Sequence, residues 1–127
     1  MKNLSFDHVH YRSSNLELTR KFYIDTMEGI ELPSEELGGN KNLHFMLGGV
    51  SLLFVEAGPD INTDSPDQQL GVYHIAFLVD DCVEATNYYF ERGAEVAKVP
   101  KVVGDNIMAS FLTAPDGMSV ELKQIIQ

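Results

Sequence analysis

The sequence predicts an α+β fold built from one unit, a strand, a helix and three further strands, that occurs twice. A short alternating strand that carries a histidine is found at His8 and again at His74, 66 positions later. Each of these strands is followed by apolar residues at helical spacing and then by a glycine. Each half ends in a Gly-x-Ser strand, at Gly49 and at Gly117. The joint match of these features indicates an internal repeat.

The repeat also predicts the domain organisation. A chain of 127 residues is a single domain by length, and we expect that domain to cover residues 1–127. The first module is expected over about 4–57 and the second over about 72–125. The stretch Gly58 to Leu70 between them holds two prolines and three aspartates, which is typical of a polar linker.

The elements follow the same order in each module. In the first we expect a helix over about 16–27, a weak strand near 30–32, and strands over 43–47 and about 49–54. In the second we expect a helix over about 83–92, a weak strand near 95–99, and strands over 107–112 and about 117–122. The candidate caps are Ser14 or Asn15 and Asp80 or Asp81 at the helix starts, and Gly29 and Gly93 at the helix ends.

Composition and charge argue against several function classes. Nineteen acidic residues against nine basic ones give a net charge of −10, which disfavours nucleic acids and anionic membrane surfaces as partners. The one cysteine, Cys82, excludes an intramolecular disulfide and a cysteine-rich zinc site, and we expect it to be buried on the second helix. The sequence shows neither a membrane-spanning apolar run nor a signal peptide, so we expect a cytoplasmic protein.

Alternation along the strands brings candidate metal ligands onto one sheet face. His8, His10 and Arg12 share a face of the first strand, and His74 occupies the place equivalent to His8 in the second module. Glu121 falls on the corresponding face of the last strand, while the apolar set on the other face is expected to pack against the helix. Two histidines and one carboxylate are a ligand set for a divalent metal with open positions. A lone strand histidine is more often packed than metal-bound, and the related placement in the two halves is what favours a site.

Two other histidines have less defined roles. His10 is a candidate substrate hydrogen-bonder or general base, although it could equally fill space. His44 lies on a middle strand whose facing the pattern does not fix, and we interpret it as structural or surface.

These motifs resemble a known family. Asp7-His8-Val9, the helix end Lys21-Phe22-Tyr23, the strand that begins at His74, and Pro115-Asp116-Gly117-x-x-x-Glu121 are similar to the vicinal oxygen chelate superfamily of glyoxalases, bleomycin-resistance proteins and extradiol dioxygenases. The resemblance covers nearly the whole chain. It implies two βαβββ modules that form an open, barrel-like cleft, commonly completed by homodimerisation. It also implies that His8, His74 and Glu121 correspond to three family metal ligands, and that Arg12 corresponds to an arginine that contacts glutathione.

Two departures from the family pattern bear on activity. Glyoxalase I supplies a fourth ligand from the fourth strand, and the alignment of the two halves puts Leu53 there. Glu56 is the nearest carboxylate, but three positions along a strand means the opposite face unless a bulge intervenes. Extradiol dioxygenases carry a catalytic tyrosine just before the final motif, and this chain has Phe111 instead.

We therefore expect a metal-dependent lyase or isomerase of the glyoxalase type, acting on a small substrate with two neighbouring oxygens. A divalent ion (Zn, Ni, Mn, Co or Fe) would chelate those oxygens and stabilise an oxyanion as a Lewis acid. Glu121 and His10 are the candidate catalytic residues, and Arg12 is the candidate substrate-binding residue. The alternatives are a small-molecule-binding protein of the resistance type without turnover, and an extradiol-type dioxygenase, which Phe111 disfavours. The expected partners are the small-molecule substrate and a second copy of the chain.

Overall fold

A computed structural model describes residues 7–34, 41–57, 72 and 74–127. The chain divides into two compact units, Met1–Ile61 and Asn62–Gln127. The linker expected over Gly58 to Leu70 lies outside the described residues.

The described residues of the first unit form one helix and a four-stranded sheet. Its elements are β1 (Val9–Ser13), α1 (Leu16–Arg20) with a π-helical continuation (Lys21–Thr26), β2 (Ile30–Leu32), β3 (Asn42–Leu47) and β4 (Val50–Glu56). The strand order is β1-β4-β3-β2, with β1 parallel to β4 and the other pairs antiparallel.

The second unit repeats this arrangement. Its elements are β5 (His74–Leu78), α2 (Cys82–Glu91), β6 (Glu95–Gly104), β7 (Ile107–Thr113), a short 3₁₀ turn (Pro115–Gly117) and β8 (Ser119–Ile125). The strand order β5-β8-β7-β6 matches that of the first unit, again with the first and last strands parallel. The predicted α+β fold of two βαβββ modules is therefore confirmed. Within the described part of the chain, no helix is long and apolar enough to cross a membrane.

Each helix begins at a side-chain cap. The Asn15 side chain accepts a hydrogen bond from the Leu18 N–H, and the Asp81 side chain accepts one from the Glu84 N–H. Each cap satisfies one backbone donor that the first helical turn leaves without a partner. The structure thus selects Asn15 and Asp81 from the two predicted pairs of candidates.

The end of the first helix differs from the prediction. From Lys21 onward the helix widens into π-type turns, in which the Met27 N–H reaches the Phe22 carbonyl five residues back. Glu28, not Gly29, takes the left-handed backbone conformation, with φ of 65°. Gly29 is required for a different reason, since a Cβ there would lie 2.8 Å from the Tyr23 carbonyl oxygen. Gly93 has the predicted left-handed conformation, with φ of 103°.

In each unit the helix packs on one face of the sheet. The fully buried Tyr23 ring lies 5.3 Å from the Phe45 ring and 5.0 Å from the Phe54 ring. In the second unit the fully buried Cys82 donates its thiol hydrogen to the Leu122 carbonyl on β8, at 3.4 Å. Cys82 is therefore a packed helix residue, as predicted. The side of each sheet turned away from its helix is called the helix-distal face below.

A buried hydroxyl pair joins α2 to the sheet of the second unit. The Thr86 hydroxyl donates to the Cys82 carbonyl at 2.6 Å and lies 2.7 Å from the Ser110 hydroxyl. Ser110 is fully buried and Thr86 nearly so. Since the Thr86 hydrogen points to a carbonyl, Ser110 is the donor between the two hydroxyls.

Replacing Thr86 with valine is expected to lower the free energy of unfolding by about 1–3 kcal/mol, because the buried Ser110 hydroxyl loses its acceptor. The double variant T86V/S110A should recover part of this loss, since an apolar pair leaves no buried hydroxyl unsatisfied. Urea unfolding of the two single variants and the double variant measures the coupling. Strictly additive losses would contradict the assigned pairing.

Candidate functional site

His74 and Glu121 come together on the helix-distal face of the second unit. His74 opens β5 and pairs in register with Ser119 of β8, while Glu121 follows two residues later and pairs with Ala76. The His74 Nε2 and a Glu121 carboxylate oxygen are 4.0 Å apart. An ion bound about 2.1 Å from each ligand atom spans up to about 4.2 Å, so both side chains can reach one ion.

An aromatic side chain borders this pair. Phe111 of β7 is directly opposite Glu121 in the antiparallel register, and its ring meets the His74 imidazole edge-on with centroids 5.5 Å apart. Lys98 is on the neighbouring strand β6, and its ammonium lies 5.3 Å from the centre of the Phe111 ring. With exposed side-chain fractions of 30% for His74 and 17% for Glu121, the pair is partly shielded from water. A carboxylate there is more strongly attracted to a cation than one in bulk water.

His8 has a carboxylate partner in the first unit. Its Nδ1 lies 2.6 Å from a carboxylate oxygen of the adjacent Asp7. When Nδ1–H donates to this carboxylate, the lone pair of the imidazole is on Nε2. Metal-ligating histidines are commonly oriented in this way by a carboxylate on their other nitrogen. The local chemistry of His8 therefore fits a metal ligand.

The face assignments made from the sequence hold on β1. Tyr11 stacks on Phe54 on the helix side, with ring centroids 5.1 Å apart, and burial raises the pKa of its phenol above the usual value. Its neighbours His10 and Arg12 are exposed on the helix-distal face. Arg12 makes no ion pair with the described residues, whereas Arg20 pairs with Glu31. The Arg12 guanidinium is thus available for a ligand.

Leu53 lies on the same face as His10. The two residues are register partners in the parallel β1–β4 pair. The pairing of β4 with β1 and β3 is continuous from Val50 to Glu56, without a shift in register. Glu56 pairs with Ser13, a residue of the helix side, so regular alternation turns Glu56 away from the helix-distal face. The bulge that would bring Glu56 alongside the candidate ligands does not occur.

His44 is a residue whose position the sequence pattern left open. It pairs with Leu53 from β3, opposite His10 on β1, and therefore lies on the helix-distal face. Its Nε2 is 2.6 Å from the Ser51 hydroxyl. The turn Gly48-Gly49, in which both residues have positive φ, was the signal that could have placed it, since a two-residue hairpin fixes the register of its strands.

Each unit thus groups part of the predicted set. The second unit brings His74 and Glu121 together. The first unit places His10 and Arg12 along β1, with His8 directly before the strand.

This repeated βαβββ fold, with a histidine at or directly before the start of the first strand of each half, defines a protein of the vicinal oxygen chelate class. The chain belongs to the Glyoxalase/Bleomycin resistance protein/Dioxygenase superfamily, whose family model matches residues 5–122. No curated protein matches the chain.

Solved structures of the same fold include a glyoxalase family protein from Enterococcus faecalis, with a TM-score of 0.82, 25% sequence identity and coverage of 97% of this chain and 99% of that one. A glyoxylase/bleomycin resistance protein/dioxygenase domain from Frankia sp. EAN1pec has a TM-score of 0.77, 18% identity and coverage of 98% and 93%. The fosfomycin resistance protein FosX from Listeria monocytogenes has a TM-score of 0.68, 21% identity and coverage of 95% and 90%. These structures establish the fold.

Proposed function

We propose that the protein is a metal-dependent lyase or isomerase that acts on a small molecule with two neighbouring oxygen atoms. His8, His74 and Glu121 are the proposed ligands of a divalent ion. The observation that carries the proposal is the approach of the His74 Nε2 to the Glu121 carboxylate, at 4.0 Å on the helix-distal face.

The donor set suits such an ion. Two imidazole nitrogens and one carboxylate leave coordination positions open, as a catalytic site requires. The Asp7 contact to His8 Nδ1 supports the proposal, because it leaves Nε2 as the metal-binding nitrogen. When bound, the ion supplies Lewis-acid stabilisation of negative charge on the substrate oxygens.

The remaining proposed roles belong to side chains of the chain itself. Glu121 is a proposed catalytic residue as well as a ligand, because a carboxylate at the reacting centre can exchange a proton with the substrate. His10, exposed on the same face as Leu53, is proposed to hydrogen-bond or deprotonate the substrate. Arg12 is proposed to bind an oxygen-rich part of the substrate through its planar guanidinium.

Metal content tests the proposal directly. Protein freed of metal with a chelator and without a histidine tag is titrated with Mn(II), Zn(II), Ni(II), Co(II) and, anaerobically, Fe(II). We expect saturable binding of one ion per chain for at least one metal. The metal-loaded protein is then screened in D₂O for loss of carbon-bound protons from small hydroxycarbonyl compounds. Absence of stoichiometric binding for all five metals would refute the proposal.

A second candidate function is capture of a small molecule without turnover. Leu53 favours it, since an aliphatic side chain occupies the helix-distal position where glyoxalase I has an acidic or amide ligand. Binding of a small molecule by metal-free protein, with no proton exchange after metal loading, would favour this candidate over the enzyme.

Standard glyoxalase activity is expected to be very low or absent. Glyoxalase I acts on the methylglyoxal–glutathione hemithioacetal with a fourth metal ligand from the fourth strand, and the aliphatic Leu53 cannot bind a metal. The regular pairing of β4 also keeps Glu56 off the helix-distal face. The assay follows formation of the thioester product with nickel- or zinc-loaded protein, and rapid turnover would contradict this expectation.

We also propose that the protein is a homodimer. The outer strand of the second sheet, β6, exposes Val99, Val102 and Val103. Apolar side chains along an outer strand favour pairing with another copy of the chain.

A further inference from the structure

The His44–Ser51 pair has no assigned role in the function proposed above. The imidazole is half-buried on the helix-distal face, and its Nε2 is 2.6 Å from the Ser51 hydroxyl. Ser51 is its one polar partner among the described residues. A short hydrogen bond at a half-buried position fixes the orientation of the ring, which is a requirement for directed proton transfer.

The pair lies where a proton-transfer group would be useful. His44 is the β3 register partner of Leu53, and side chains directly opposite on antiparallel strands have Cβ atoms about 4.5–5.5 Å apart. Ser51 precedes Leu53 by two residues on β4 and lies beside the start of β1. At that end of β1, Val9 pairs with Leu52, and His8 directly precedes Val9. In the strand order β1-β4-β3, Ser51 on β4 therefore lies between His44 on β3 and the strand end that carries His8.

Comparison of the two sheets shows an exchange of side chains. In the second unit the last strand carries the carboxylate of Glu121 and the preceding strand carries the aromatic ring of Phe111 opposite it. In the first unit the last strand carries the aliphatic Leu53, and the preceding strand carries the titratable imidazole of His44. The titratable side chain of the first sheet, His44, is thus on the strand next to the one that carries Glu121 in the second sheet.

On the basis of the proposed function, we infer that His44, oriented by Ser51, accepts the proton that the substrate loses. The substrate class is a small compound with an acidic proton on, or next to, one of two neighbouring oxygens, such as an α-hydroxycarbonyl compound. His44 thereby takes the role that an acidic residue at position 53 would otherwise have.

The transfer balances within the pair and the substrate. With the ring proton on Nε2 donated to the Ser51 oxygen, the lone pair is on Nδ1. The substrate C–H bond breaks, its proton forms the Nδ1–H bond, and its electron pair moves through the adjacent carbonyl to the carbonyl oxygen. The hydroxyl proton then passes to the neighbouring oxygen, which carries the negative charge. The imidazolium keeps its hydrogen bond to Ser51 and returns its proton to the former carbonyl carbon, which completes an isomerisation with no further reactant.

The surrounding charges support this assignment. None of the described strand residues on the helix-distal face of the first sheet is a carboxylate. Besides His44, the titratable groups of that face are His10 and Arg12 on β1 with His8 before it, and the described residues of β2 and β4 present none. His10 is the competing base, but it is exposed and has no hydrogen-bond partner among the described residues. His44 is the better oriented of the two imidazoles.

Binding of acetohydroxamic acid to Mn(II)-loaded protein tests the inference without an enzymatic assay. This compound presents two neighbouring oxygens and loses one proton when both bind. Calorimetry at one pH in two buffers of different ionisation enthalpy counts the protons released. In the parent protein we expect release well below one proton per ligand, because His44 keeps it.

The His44→Asn and His44→Gln variants should release about one proton more per ligand than the parent and bind it about tenfold more weakly. Ser51→Ala should weaken binding but keep the parent proton count, since the imidazole is still present. Met46→Leu, on the same strand and face, is the matched control and should behave as the parent.

Three other outcomes would contradict the role inferred for His44. A parent-like proton count in both His44 variants overturns the inference while leaving the proposed metal function intact. A change of proton count in His10→Asn instead assigns the base to His10. Failure of the parent to bind any of the five divalent metals overturns the proposed function and the role of His44 together.

Discussion

Replacing His74 with alanine is expected to remove tight divalent-metal binding, with a loss of affinity of about 100-fold or more. Loss of a residue that only orients a ligand already costs about 10–100-fold, and His74 is proposed as a ligand itself. Glu121, 4.0 Å away, would be left without its imidazole neighbour. Calorimetric titration with Mn(II) or Zn(II) measures the loss, and His8→Ala should show a similar one.

The fold should survive this substitution. The His74 side chain is 30% exposed and is not one of the fully buried residues that form the core. Ser119→Ala is the matched control, because Ser119 is the register partner of His74 on the same face. Circular dichroism checks the fold of each variant. Equal metal stoichiometry and affinity in His74→Ala and Ser119→Ala would show that the ligand assignment is wrong.

Metal is expected to raise the melting temperature of the variant Leu53→Glu more than it raises that of the parent. A glutamate there would join the proposed ligands as a second carboxylate, and tenfold tighter binding corresponds to a rise of roughly 4 °C in melting temperature at saturating metal. Without metal the variant should be less stable than the parent, since a half-buried carboxylate loses part of its hydration. Melting curves with and without metal measure both effects.

Val55→Glu is the control for charge alone. Val55 follows Leu53 by two residues on the same strand and face, which moves the new carboxylate about 6.6 Å along the sheet. Its metal-dependent rise in melting temperature should equal that of the parent. An equal rise in Leu53→Glu would mean that this side chain does not face the proposed ion.

The repeat made much of the fold predictable from the sequence. Because side chains alternate strictly along a strand, placing His8 or Glu121 on one face also places their neighbours. Helix starts were predictable to within one residue, since Asn15 and Asp81 are side chains that can accept a backbone hydrogen bond. These features depend only on local side-chain chemistry or on the two-residue alternation of a strand, and both can be read from one sequence.

Features that depend on packing between elements were less accessible. The π-helical turns after Arg20 arise where Tyr23 packs against two phenylalanines of the sheet, and residue spacing along the helix does not specify them. The role of Gly29 likewise depends on how closely the chain approaches the Tyr23 carbonyl. The facing of His44 depends on the register of β3 with β4, which requires counting from the Gly48-Gly49 turn.

The exchange of side chains between the two sheets has an evolutionary consequence. A chain that arises by duplication of one module starts with equal residues at both copies of every position. Here Leu53 stands opposite His44, whereas Glu121 stands opposite Phe111, so both members of the pair have diverged. The halves have therefore become specialised. A chain made of two copies of the second module would carry two histidine–glutamate pairs and no imidazole on the strand before the last.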